Sequence, residues 1–113
     1  MSIQKDAGEI LLYFYKKYSE GGNRIGTEDV IKETKWESGK INRAIDYLRD
    51  LNLIKIDLFL GNKNGVYNFI VWRPYPEGIN IIENKKEFKT TFGFGINLGI
   101  FNFSWEREKD SGM

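Results

Sequence analysis

The sequence predicts an α+β fold: a three-helix core, a β-hairpin, a short fourth helix and an appended C-terminal β-hairpin rich in glycine and aromatic residues. Three observations predict it. In residues 36–54, Ile41, Ala44, Ile45, Leu48 and Leu51 recur at helical spacing and form one stripe for a core. In residues 53–72, two alternating runs flank Gly61-Asn62-Lys63-Asn64-Gly65, the composition of a hairpin tip. Residues 88–105 alternate again. Phe92, Phe94 and Ile96 share one parity, and Phe101, Phe103 and Trp105 share the other after Gly99.

Taken in order, residues 3–18 read as the first helix, with Ile3, Ala7, Ile10, Leu11, Phe14 and Tyr18 on one face. Leu12, Tyr13 and Tyr15 widen that face, which fits a helix buried on two sides; the alternative is a helix that also makes a dimer contact. Gly21 and Gly22 break the helix, and Arg24-Ile25 suit a one-rung strand. Thr27 caps the second helix, and Glu28 and Asp29 occupy its first turn, where the helix dipole favours negative charge. That helix ends near Lys35, and Trp36 plugs the angle to the next. Ser38 caps the third helix, and Asn52 supplies the left-handed residue at its end.

The first hairpin places Ile54, Ile56, Leu58 and Leu60 on one side and Lys55, Asp57 and Phe59 on the other. Pro74 and Pro76 end it, and Pro76 suits the first turn of a short helix over 77–83. Residues 83–87 form a polar joint. The second hairpin then turns through a three-residue loop with Gly99 as the left-handed residue. Gly95 faces Phe101, Gly93 faces Phe103 and Thr91 faces Trp105, so that rings cover bare backbone. Domain boundaries are expected at 1–84, 85–105 and a fraying tail at 106–113.

Composition narrows the function. The chain has 113 residues, 15% aromatic, which suits one small domain. It has no cysteine and no histidine. Disulfides, thiolate metal sites, the commonest general base and the commonest metal ligand are thereby absent, and no metal or cofactor is expected. Glu28 and Asp29 are explained by a helix start, and Gly93-Phe94-Gly95 lies in a strand pattern rather than before a helix, so no catalytic or phosphate-loop site is expected. With no signal-like leader and no apolar run near the ~20 residues of a membrane helix, a cytoplasmic location without membrane contact is expected. Net charge is +1, low for a nucleic-acid binder. Residues 35–63 carry only a small basic excess: Lys35, Lys40, Arg43, Arg49, Lys55 and Lys63 against Glu37, Asp46, Asp50 and Asp57.

Residues 24–83 resemble a winged helix-turn-helix domain. The resemblance is carried by Thr27-Glu28-Asp29-Val30-Ile31, Trp36, the run from Lys40 to Leu48, and Asn52-Leu53-Ile54, followed by Tyr75-Pro76-Glu77-Gly78-Ile79. It implies a regulator that binds double-stranded DNA, with the third helix in the major groove and the hairpin as a wing. Position by position, it implies DNA contacts at Ser38, Gly39, Lys40, Asn42, Arg43 and Tyr47, and at Asn62, Lys63 and Asn64 of the wing tip. Lys40 and Lys63 would meet phosphates, Arg43 a guanine and Asn42 an adenine. Asp46 and Asp50 depart from this pattern, because they share the exposed face and repel phosphate. The alternative implied by near-neutral charge is a winged-helix protein-interaction module.

The C-terminal hairpin lies outside the resemblance. A two-stranded hairpin is marginal alone and needs cover. Phe92, Phe94, Ile96, Ile100, Phe101, Phe103 and Trp105 are therefore the expected oligomer or partner interface, and a homodimer is the expected assembly. Folding back onto its own domain and docking to another protein are the alternatives.

Overall fold

The computed structural model describes residues 2–97 and 103–106. It is mixed helix and strand. The order is α1 (Ile3–Ser19), β1 (Ile25–Gly26), α2 (Thr27–Thr34), α3 (Ser38–Asp50), β2 (Ile54–Lys63), β3 (Val66–Pro74), α4 (Pro76–Ile82) and α5 (Lys85–Phe92), with a last helical turn over 104–106. The strands form one antiparallel sheet in the order β1–β3–β2.

Helix α1 is the centre of the core. Every residue from Asp6 to Phe14 is buried, so it is covered on all sides, while Ile3 and Tyr18 at its ends are exposed. Ser2 caps it by accepting from Lys5 N–H at 3.1 Å. Gly8 is the closest approach: a Cβ there would come within 2.8 Å of the Phe92 ring on α5. Helix α3 lies on the other side and contributes Ile41, Ala44, Ile45 and Leu48, all fully buried. Leu51, expected on that stripe, is instead 42% exposed at the helix end. Asn52 follows at φ 58°, the left-handed residue the sequence implies.

Two caps differ from expectation. Gly26, not Thr27, precedes α2, and its N–H donates to Asp29 Oδ2 at 2.8 Å. Thr27 instead ties the helix to the sheet: its hydroxyl donates to Tyr67 O at 2.7 Å and accepts from Phe69 N–H at 2.8 Å. Glu37 stands at the α3 cap position with no side-chain bond, and Ser38 is the first helical residue.

The β2–β3 hairpin leaves the core as it rises. Exposure goes from 2% at Ile54 to 41% at Leu58 and 98% at Leu60. The strands continue to Lys63 and Val66, so the turn is shorter than the expected 61–65 tip. Asn64 and Gly65 both have positive φ (53° and 85°), the geometry that matches the twist of paired strands. The ladder shifts register between Lys55 and Ile56 and again between Phe59 and Asn62.

The expected C-terminal hairpin is corrected over residues 85–93, while Asn97 is a bridge residue. Asn84 Oδ1 accepts from Glu87 N–H at 3.1 Å and starts α5, and Gly93 at φ 81° ends it. Phe88 and Phe92 are thus one helical turn apart, not on a strand, and both are buried. The expected polar joint is the α5 cap and first turn. Thr91 and Gly93 are a helix residue and a helix terminus, so their expected cross-strand partners Trp105 and Phe103 do not face them in a ladder. Phe103 and Trp105 stack at 4.5 Å, and Trp105 meets Tyr13 and Trp36 edge-on at 6.1 and 5.4 Å. The turn is held by two carboxylates: Ser104 N–H donates to Glu9 and Trp105 Nε1–H to Glu33. Phe92, Phe103 and Trp105 are therefore spent inside this chain's core rather than presented to a partner. Phe94 and Ile96 pack against that core half-buried. The expected loop at Gly99, with Ile100 and Phe101, lies outside the described residues. Among the described residues no helix is long and apolar enough to cross a membrane.

Candidate nucleic-acid interface

The N-terminal half of α3 and the tip of the β2–β3 hairpin form one surface, because Asn42 joins them. Its Nδ2–H donates to Gly65 O, and its Oδ1 accepts from Tyr67 N–H, both at 2.9 Å. The turn is fixed from the other side by Asn62, whose Oδ1 accepts from Gly65 N–H at 3.0 Å. Ser38 fits against Gly65 so closely that a Cβ there would lie 3.0 Å from Ser38 Oγ. Asn42 thus holds the hairpin on the helix, Ser38 packs beside it, and Asn62 closes the turn itself. Both ends of the Asn42 amide are in use, which leaves no edge free for a bidentate adenine contact.

Lys40 also turns inward. Its ammonium lies 4.4 Å from the centre of the Trp36 ring and 3.8 Å from Asp6 Oδ1. Asp6 is buried, and burial holds its carboxyl above the usual value, with Lys40 opposing that shift. Tyr47 packs on α5, its ring 6.5 Å from that of Phe92. Neither side chain points where a groove contact needs it.

The expected contact residues left exposed are Arg43, Asn62, Lys63 and Asn64, while Gly39 is half-buried. Arg43 is exposed, folds back over Gly39, and makes no ion pair among the described residues. Lys63 Nζ donates to Glu28 Oε1 on α2. That bond, then the charge, holds the Glu28 carboxyl below its ordinary value. Both partners stay in contact with water, so the pair is weak and exchangeable. A cleft of about 320 Å³ between α2 and the hairpin is lined by Lys63, Arg24, Glu28 and Asn68.

Further along α3, acids balance the bases. Asp46 accepts from Tyr67 O–H at 3.0 Å and lies 3.8 Å from Arg49. The bond to Asp46 pushes the Tyr67 phenol up. Asp50 is exposed beyond it.

Sequence reasoning missed the partners that set this surface: Glu28 for Lys63, Asp6 and Trp36 for Lys40, and Gly65 and Tyr67 for Asn42. The Asn42 partners lie 23 and 25 residues away, with no local pattern to mark them. A carboxylate such as Asp6 on an otherwise apolar helix face was a signal for an inward-facing cation. Scans against family models, curated proteins and solved structures find no match for this chain.

Proposed function

We propose that this chain is a winged helix-turn-helix protein that binds double-stranded DNA without catalysis. In this reading α3 enters the major groove and the β2–β3 hairpin serves as the wing. The observation that carries it is the Asn42 bridge, which makes an exposed helix face and an exposed hairpin turn one preset surface. A surface built before binding loses little freedom on docking. Arg43 is the base-reading residue, with two parallel donors for a guanine edge. Lys63 and Arg24 take phosphates, and phosphate displaces Glu28 from Lys63 at small cost because that pair is solvated. Lys40, Asn42 and Tyr47 position the helix rather than touch DNA.

Two substitutions with opposite signs test this. Arg43→Ala lowers duplex affinity by about tenfold or more, the loss of one good base contact. Glu28→Gln raises affinity, because it frees Lys63 and removes an anion near phosphate. Equal affinity in both variants and the parent overturns the assignment of these residues.

One observation favours a second reading. The outer face of α3 alternates Arg43, Asp46, Arg49 and Asp50, close to neutral overall. A neutral polar face suits a protein partner better than a phosphate backbone. Under that reading the same preset surface docks a protein, and duplex DNA fails to bind even at low salt.

A further inference from the structure

The outer edge of β2 carries a second interaction surface. We propose that it pairs antiparallel with β2 of a second copy of this chain, centred on Ile56. This goes beyond DNA binding and stands whether or not DNA binds. It also places self-association on the sheet edge rather than on the C-terminal segment.

In the order β1–β3–β2, β3 is paired on both sides and β2 on one. Among the described residues the peptide groups along the other side of β2 have no strand partner. An open strand edge is a template for another strand. Natural edges are often guarded by charge, and Lys55 and Asp57 stand here, both exposed. Their spacing makes them a selector of one register rather than a general barrier.

Across an antiparallel pair, opposite residues share a face. With the twofold at Ile56, Lys55 stands opposite Asp57 of the second copy and Asp57 opposite its Lys55. On the other face Ile54 meets Leu58, and Ile56 meets Ile56. Moving the centre to Lys55 sets Lys55 against Lys55, and moving it to Asp57 sets Asp57 against Asp57. Opposite charges across a strand pair stabilise it and like charges oppose it, so the pattern admits a second copy in one of these three registers. The β2–β3 ladder shifts register between Lys55 and Ile56, where Trp72 is an extra residue of β3, and again beyond Phe59; β2 itself runs without an inserted residue from Ile54 to Phe59, so its outer edge stays continuous there.

The exposed apolar residues fit the same arrangement. Leu58, Phe59 and Leu60 are 41, 50 and 98% exposed, and Leu51 is 42% exposed. In this register the strand carries Leu60 of one copy towards the end of α3 in the other, where Leu51 stands. Large apolar side chains left in water at a sheet edge are thereby covered. The paired stretch is short, well below the ~1,600 Å² of a standard interface, so the dimer is a concentration-dependent one.

The test is sedimentation of the full chain, without DNA, over a wide concentration range, for the parent, Lys55→Asp, Asp57→Lys and the double exchange. The parent self-associates. Each single exchange places like charges opposite and raises the dissociation constant about tenfold or more, since the change occurs twice per dimer. The double exchange restores association. It keeps the loss of the Asp57 bond from Trp72 Nε1–H, so recovery isolates the cross-copy charges. Circular dichroism confirms that all four are folded. A parent that stays monomeric overturns the proposal. So does a dimer indifferent to the single exchanges, or a double exchange no better than the singles.

Discussion

Residues 53–72 and residues 88–105 carry the same surface signal, an alternation of apolar residues around glycine, yet they fold differently. The first is a hairpin that climbs out of the core until Leu60 is almost wholly in water. The second begins with α5 and ends in a buried turn. The difference lies in what flanks the alternation. Residues 54–58 and 66–71 are rich in Ile and Val, which suit a pleated strand, and Asn64-Gly65 supplies the two positive φ values a tight turn needs. Residues 85–92, Lys-Lys-Glu-Phe-Lys-Thr-Thr-Phe, follow a helix cap, Asn84, and place two phenylalanines four apart. The alternation that starts at Phe92 does not extend back to Phe88, which lies one helical turn before it. A cap on one side and a glycine on the other bound a helix more firmly than a few alternating rings bound a strand.

The largest test of this contrast is Phe92→Ala against Leu60→Ala. Phe92 is 1% exposed and packs on α1, so its loss costs about 3–5 kcal/mol in urea denaturation. Leu60→Ala, measured on dilute monomer, changes stability by less than about 0.5 kcal/mol. Similar costs at the two sites would mean that the C-terminal aromatics are not in this core.

Gly93→Ala comes next, at about 1–2 kcal/mol, because alanine is strained at φ 81°. Asn84→Ala follows at about 1 kcal/mol for the lost cap. Were 88–96 a strand, Asn84 would cap nothing and that second change would be silent.

The last test concerns pH. Burial pushes the Tyr13 phenol from 10 up to about 12, with Glu33 and Asp29 adding to the shift. A raised acid pKa means that the folded chain holds the proton more tightly than the unfolded chain. The stability this adds is complete below pH 10 and is lost as pH rises towards 12. Tyr13→Phe therefore loses less stability than the parent across that window. Tyr13 lies edge-on to both Phe103 and Trp105, so near-ultraviolet spectra of the parent should change in the same range.

The legible parts of the fold were those written in local pattern: α1, α3, the first hairpin, α4 at Pro76, and the left-handed Asn52. The illegible parts depend on distant partners. Thr27 looked like a cap and proved to be a bond to the sheet, because Tyr67 and Phe69 arrive from 40 residues on or more. Lys40 and Asn42 sit on the solvent side of a helical wheel, but Trp36, Asp6 and the hairpin turn occupy that side. A wheel gives direction and says nothing of what stands there. Of the nine positions the resemblance marked, Arg43, Asn62, Lys63 and Asn64 are exposed.

The DNA-binding proposal stands or falls on whether α3 and the hairpin turn act as one surface. Fluorescence anisotropy of a labelled mixed-sequence duplex, titrated with the chain at several salt concentrations, tests it most directly. Binding that weakens steeply with salt is expected, with a slope that flattens by about one phosphate contact in Lys63→Ala. No binding at the lowest salt, with the chain folded, would contradict it.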